Sequence, residues 1–180
     1  MLEVDRLTDK QRKSIITLLN TSLKIEYTFV VNYPRLIDQI VNIDRLPAQE
    51  AVKGLERLGK QSVQHFGWTG QLIQRLGGSP EWQIDVIDRM VDVVSLLTTQ
   101  LEREDGARSL YQQAKKVAQE QPSKGALGKL KSIEILLSGS NFIERSSVIA
   151  VLERLVFDEE DHISLVKKII ADLKPPASGD

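Results

Sequence analysis

The chain has 180 residues, 41% of them apolar and 27% charged, which suffices for one domain with a sizeable core and gives no sign of a second. A net charge of -1 with acids and bases interspersed excludes the basic footprint of a nucleic-acid binder, and the absence of cysteine removes disulfides, thiolate ligands and cysteine nucleophiles together, which fits a reducing compartment. No apolar run approaches the roughly 20 residues of a membrane span, and MLEVDRLTDK carries no signal-peptide core, so the reading is a cytoplasmic protein without a membrane partner.

Thr8 or Asp9 can cap a first helix whose inner line is Ile15 or Ile16, Leu19, Leu23, Glu26, Val30, Tyr33 and Ile37, with Pro34 set to kink it. The following IVNIDRLPAQ reads as a loop, because the residue before a proline is biased against helix and Pro47 suits the first turn of the next one. A second helix over about 47 to 76 carries Val52, Leu55, Leu58, Ser62, His65, Leu72 and Leu76 inward. It also holds Gly54, Gly59, Gly67 and Gly70, each costing about 0.5 to 1 kcal/mol against alanine in a helix interior. They signal either close approach of a neighbouring backbone or room for a substrate.

Gly77-Gly78-Ser79-Pro80 stops that helix and opens the next. The third spacing, over about 81 to 121, follows Met90, Val94, Leu97, Leu101, Glu104, Arg108 and Tyr111, which makes Glu104 the inward member of an acidic cluster with Glu102 and Asp105. Pro122 ends it. Residues 123 to 140 have helix-like spacing in Leu127, Leu130, Ile133 and Leu137 and predict a short extra helix. A fourth long helix is expected from near Asn141, followed by a polar, proline-containing tail from Lys174 to Asp180. Four amphipathic helices without a strand pattern predict an all-α antiparallel bundle over about 8 to 173, a single domain within 1 to 180.

The apolar run from Val148 to Leu173 contains Asp158-Glu159-Glu160-Asp161-His162. At 3.6 residues per turn, Leu152, Leu155, Glu159, His162, Val166 and Ile169 share one face, so an acid and an imidazole point inward. A buried ionised carboxylate is costly unless compensated, and a Glu and a His three residues apart on a core stripe call for a partner such as a metal. His65, the other of the two histidines, also lies on an inward line. The halves of the chain repeat: Glu26 precedes Tyr33 by seven residues and the next helix gives Ser62-x-x-His65, while Glu104 precedes Tyr111 at the same spacing and the next long helix gives Glu159-x-x-His162.

This pattern, with the strings LKIEYTFVVNY, RLGGSP and FDEEDHISLV, resembles the ferritin-like superfamily, in particular bacterioferritin and the diiron domain of rubrerythrin. The resemblance covers residues of about 10 to 120 and 142 to 172 and implies a four-helix bundle with a long crossover. It implies that Glu26 and Glu104 are terminal carboxylates, Glu159 a carboxylate bridging two metals, and His65 and His162 the imidazole ligands. Ser62 stands where that family has its second bridging Glu. A serine hydroxyl is neutral and short, so two divalent ions would keep about one more unit of positive charge than usual. Water, hydroxide or the loss of one metal would meet the gap.

Carboxylate and imidazole suit iron or manganese, one or two ions, and the resemblance implies oxidation of iron or of a small substrate by O2 or peroxide. Gln61, Gln100 and Asp158 are candidate outer partners of the imidazoles. Tyr33 and Tyr111 are outer-shell donors, one-electron relays or plain core residues with satisfied hydroxyls. With Met1 and Met90 the sole methionines, none stands beside His65 where bacterioferritin has its haem ligand, so no haem is expected. A rubredoxin-type centre is likewise excluded for want of cysteine. The resemblance implies a homo-oligomer, a dimer or larger. The competing reading is a non-catalytic bundle whose acids and histidines pair with one another and whose surface serves oligomerisation or partner binding.

Overall fold

The computed structural model describes residues 7–41, 46–85, 92–120 and 147–174. Among these residues are four helices and no strand: α1 (Asp9–Ile40), α2 (Leu46–Arg75), α3 (Val93–Gln119) and α4 (Val148–Leu173). α1 starts at a capping box, in which the Thr8 hydroxyl accepts from the Gln11 amide and the Gln11 side chain accepts from the Thr8 amide. It continues through Pro34, whose ring is exposed.

α1 packs against α2 and α3, and α4 against the same two. The directions follow from two apolar clusters. One gathers Ile15 near the start of α1, Leu76 just past α2, Ala114 late in α3 and Val148 at the start of α4. The other gathers Ile40, Ala48, Leu97 and Leu173, from the opposite ends of the same helices. α1 and α4 therefore run one way, α2 and α3 the other, and every adjacent pair is antiparallel. Since α2 and α3 are parallel, the chain between them must return along the bundle. Its described part does so on α1: the Asn20 side chain bonds the Ser79 carbonyl and the Glu81 amide, and the Thr28 hydroxyl accepts from the Asp85 amide.

That return corrects the third helix. The structure starts it at Val93, where the Asp92 side chain caps the Ser95 amide, and not near residue 81. Glu81 and Asp85 give their amides to α1 side chains, so no helical turn forms there; Met90 lies outside the described residues. The fourth helix starts at Val148, with Ser147 capping the Ala150 amide, and not near Asn141. The expected short helix over 123 to 140 and the tail beyond Lys174 lie outside the described residues.

The inner lines shift by a residue in places. In α1, Phe29, Leu36 and Ile40 are buried where Val30 and Ile37 were expected; in α3, Gln100, Ala107 and Ala114 line the core in place of Leu101 and Arg108. Two of the α2 glycines mark close approach of a neighbouring helix. A Cβ on Gly54 would lie 2.9 Å from Ile169 of α4, and one on Gly59 would lie 3.3 Å from the Cβ of Tyr33 in α1. Gly77 takes φ 84°, the left-handed turn that releases the chain from α2.

Candidate metal centre

Between the two apolar clusters lies a polar layer. Glu26, Ser62, His65, Glu104, Glu159 and His162 are each 0% exposed. All sit on the inward stripes of their helices, so the bundle's own hydrophobic packing carries them inside.

The acids and imidazoles form a chain across the bundle. His65 Nδ1 is 3.6 Å from Glu26 Oε1 and 2.8 Å from Glu159 Oε1. His162 Nδ1 is 3.6 Å from Glu159 Oε2 and 3.2 Å from Glu104 Oε2. The two rings stack with centroids 5.1 Å apart. Glu159 thus turns one oxygen to each imidazole. One ligand atom from each of His65, Glu159 and His162 lies within 4.8 Å of the others, a spacing that can hold a metal ion.

The outer partners cross between the two halves of the chain. Tyr33 of the first half donates to Oε1 of Glu104 in the second, and Tyr111 of the second donates to Oε1 of Glu26 in the first at 3.0 Å. Thr69 lies 2.9 Å from the Tyr111 hydroxyl. Gln100 donates to Glu104 Oε1 at 3.3 Å. Asp158, on the helix of His162, lies 3.2 Å from Nε2 of His65 and accepts from Arg154 Nε at 2.9 Å. Gln61 is instead engaged by Arg57 Nε at 3.2 Å. The residue types were legible in the sequence. The crossing was not, because it depends on which helices are neighbours.

Buried charges shift one another. Burial and the nearby charge of Glu159 push the Glu26 carboxyl up to about 7, with His65 and His162 pulling the other way. Burial, the largest single influence, raises Glu104 too, yet the hydrogen bond and charge of His162 together with the bond from Tyr33 outweigh it and hold the carboxyl below the usual carboxylate range. Desolvation alone would lower His162, but its hydrogen bond to Glu104 and the nearby charge of Glu159 hold it at about 10. His65 is raised in the same way by Asp158, Glu159 and Glu26 against desolvation. Burial first, then the adjacent Glu104 and Glu26, raise the Tyr33 and Tyr111 phenols well above their ordinary value.

Four buried polar atoms of this layer have no hydrogen-bond partner: Glu26 Oε2, Ser62 Oγ, Glu159 Oε2 and His162 Nε2. Such orphans are uncommon in folded interiors and point to a group the side chains do not supply. Oxygen and imidazole nitrogen are the donors that iron and manganese take, so the residues present fit a cation of that kind.

No family model and no curated protein matches the sequence. By structure, the chain is similar to a crystal structure described as ferritin-like, diiron-carboxylate proteins from Bacillus anthracis str. Ames, with a TM-score of 0.66, 18% identity, and coverage of 91% of this chain and 99% of that one. The fold is therefore the ferritin-like all-α four-helix bundle. No helix among the described residues is long and apolar enough to cross a membrane.

Proposed function

We propose that this ferritin-like bundle binds iron or manganese through Glu26, His65, Glu104, Glu159 and His162, and that the centre oxidises ferrous iron or a small substrate with O2 or peroxide. The observation that carries the reading is Glu159, whose two oxygens face two stacked imidazoles in a layer where four polar atoms lack partners. In this reading each half of the centre has one imidazole, one terminal carboxylate and a share of Glu159.

When bound, the metal supplies redox capacity and open positions for an oxidant. The protein's own groups do the rest. Glu26 and Glu104 bring negative charge to opposite sides. Tyr111 and Tyr33 orient those carboxylates through hydrogen bonds. Asp158 fixes the ring of His65 through Nε2. In the metal-free protein both imidazoles are held protonated by their acids, so binding must displace those protons. Glu26, held near 7, is the group of this layer best able to gain or lose a proton at neutral pH. The apolar clusters on either side exclude bulk water from the layer.

A second reading is favoured by the same short contacts: the histidines and acids satisfy one another, and the bundle is a structural or interaction protein. Metal analysis of protein from iron-supplemented cells separates the two. The first expects about one or more bound ions per chain, and less than about 0.2 equivalents of iron, manganese or zinc would favour the second. Assembly into a homo-oligomer and residence in the cytoplasm belong to the proposal and are checked by sedimentation and by fractionation.

A further inference from the structure

Ser62 is the one member of the buried layer that brings no charge, although it stands three residues before His65 as Glu159 stands before His162. Its side chain ends one atom beyond Cβ, whereas a glutamate carries a carboxylate two atoms further. The Ser62 hydroxyl is fully buried and has no hydrogen-bond partner, and the outer oxygens of Glu26 and Glu159 have none either. If two divalent ions occupy the centre, three carboxylates leave one positive charge in a medium that screens it poorly. The missing group is thus defined chemically: one negative charge, two oxygens able to reach two cations, and a body no larger than the end of a glutamate side chain.

We infer that the unpartnered Ser62 hydroxyl marks a binding site for a small carboxylate anion, with formate the smallest of the class, that enters together with metal and replaces the absent side-chain carboxylate. The inference rests on the metal-binding reading and names the ligand class of that centre. The Ser62 hydroxyl donates to one oxygen of the anion. Without cations the centre has no positive surplus to attract such an anion; with them the anion is attracted, so metal and carboxylate each raise the other's affinity. The same site would admit a small carboxylate substrate.

The test titrates the metal-free, full-length chain with cobalt(II) in sodium formate and in sodium chloride at equal ionic strength, reading bound metal by equilibrium dialysis and coordination by the cobalt absorption bands. In chloride one ion binds tightly. In formate a second joins it, with an apparent Kd at least about tenfold lower than in chloride. Ser62→Glu binds two ions in either salt, and Ser62→Ala removes the hydroxyl donor and loses most of the formate effect.

Two tight ions in chloride would overturn the inference, since water or hydroxide would then suffice. So would a titration indifferent to formate, an equal formate effect in Ser62→Glu, or an undiminished one in Ser62→Ala. Each of these leaves the metal-binding proposal standing, whereas no cobalt uptake in either salt ends both. Should Ser62→Glu fail to fold, the salt comparison on the unaltered chain and the Ser62→Ala titration decide alone.

Discussion

On one side of the centre, Glu104 receives hydrogen bonds from Tyr33 and Gln100 on one oxygen and faces His162 at 3.2 Å with the other. On the opposite side, Glu26 receives Tyr111 on one oxygen and has no partner for the second. The two are repeat-related glutamates of equal burial, yet Glu104 is held below the ordinary carboxylate range and Glu26 is pushed up to about 7. The histidines differ in the reverse sense. His65 has acids at both ring nitrogens, while Nε2 of His162 has no partner. Acidity in this interior is set by how many donors reach each oxygen, and repetition of residue type does not carry it over.

Glu159 faces both imidazoles, so its removal should have the largest effect. Glu159→Ala removes an acid from both imidazoles and should cost about 3 to 5 kcal/mol of stability in the metal-free protein while abolishing metal uptake, read by denaturant titration and metal analysis. If the variant keeps normal metal content, Glu159 is not the link between the halves.

Asp158→Ala should act on one side alone. It frees Nε2 of His65 and should lower affinity in the Glu26 half by about 10- to 100-fold, leaving the Glu104 half unchanged in a two-site titration. Equal weakening of both halves would show that the two do not bind separately.

The tyrosines test the crossing. Tyr33→Phe should weaken the half that contains Glu104, and Tyr111→Phe the half that contains Glu26, each by about 1 kcal/mol. The opposite assignment in metal titrations would reverse the pairing described above.

The same groups also give the metal-free protein a pH dependence. The folded values of His65, His162 and Glu26 all lie above their unfolded ones, so the stability they contribute is present at low pH and is lost as pH rises through the folded values. For Glu26 the loss runs between about 4.5 and about 7, and for His162 between about 6.5 and about 10. The metal-free Tm should therefore fall steadily from about pH 5 to about pH 9, and the metal-loaded Tm should not. Calorimetry of the two forms checks this; a metal-free Tm that rises over that range would contradict the protonated imidazoles.

Much of the bundle was legible because hydrophobic periodicity and caps are local. A cap at Thr8 or Asp9 follows from residue type, and the inward Glu26, His65, Glu104, Glu159 and His162 need only helical pitch to be read; the share of Gln11 in the Thr8 cap came with the structure. The one-residue drift from Val30 to Phe29 reflects a stripe wider than a single line. The start of α3 was hidden because residues 81 to 85 have helical composition but are tied to Asn20 and Thr28 of α1. Asp158 was a candidate partner for either imidazole, and that it lies against the histidine of the other half is a fact of topology that no spacing encodes.

Because each adjacent pair of helices runs in opposite directions, their macrodipoles cancel pairwise, and the polar layer sits midway along the rods, far from any terminus where backbone partial charge is felt. The electric potential at the heart of this molecule is therefore written almost wholly by side chains. An exchange of one acid for one alcohol there meets no compensating field from the main chain, and its full effect must appear in whatever ions the interior accepts.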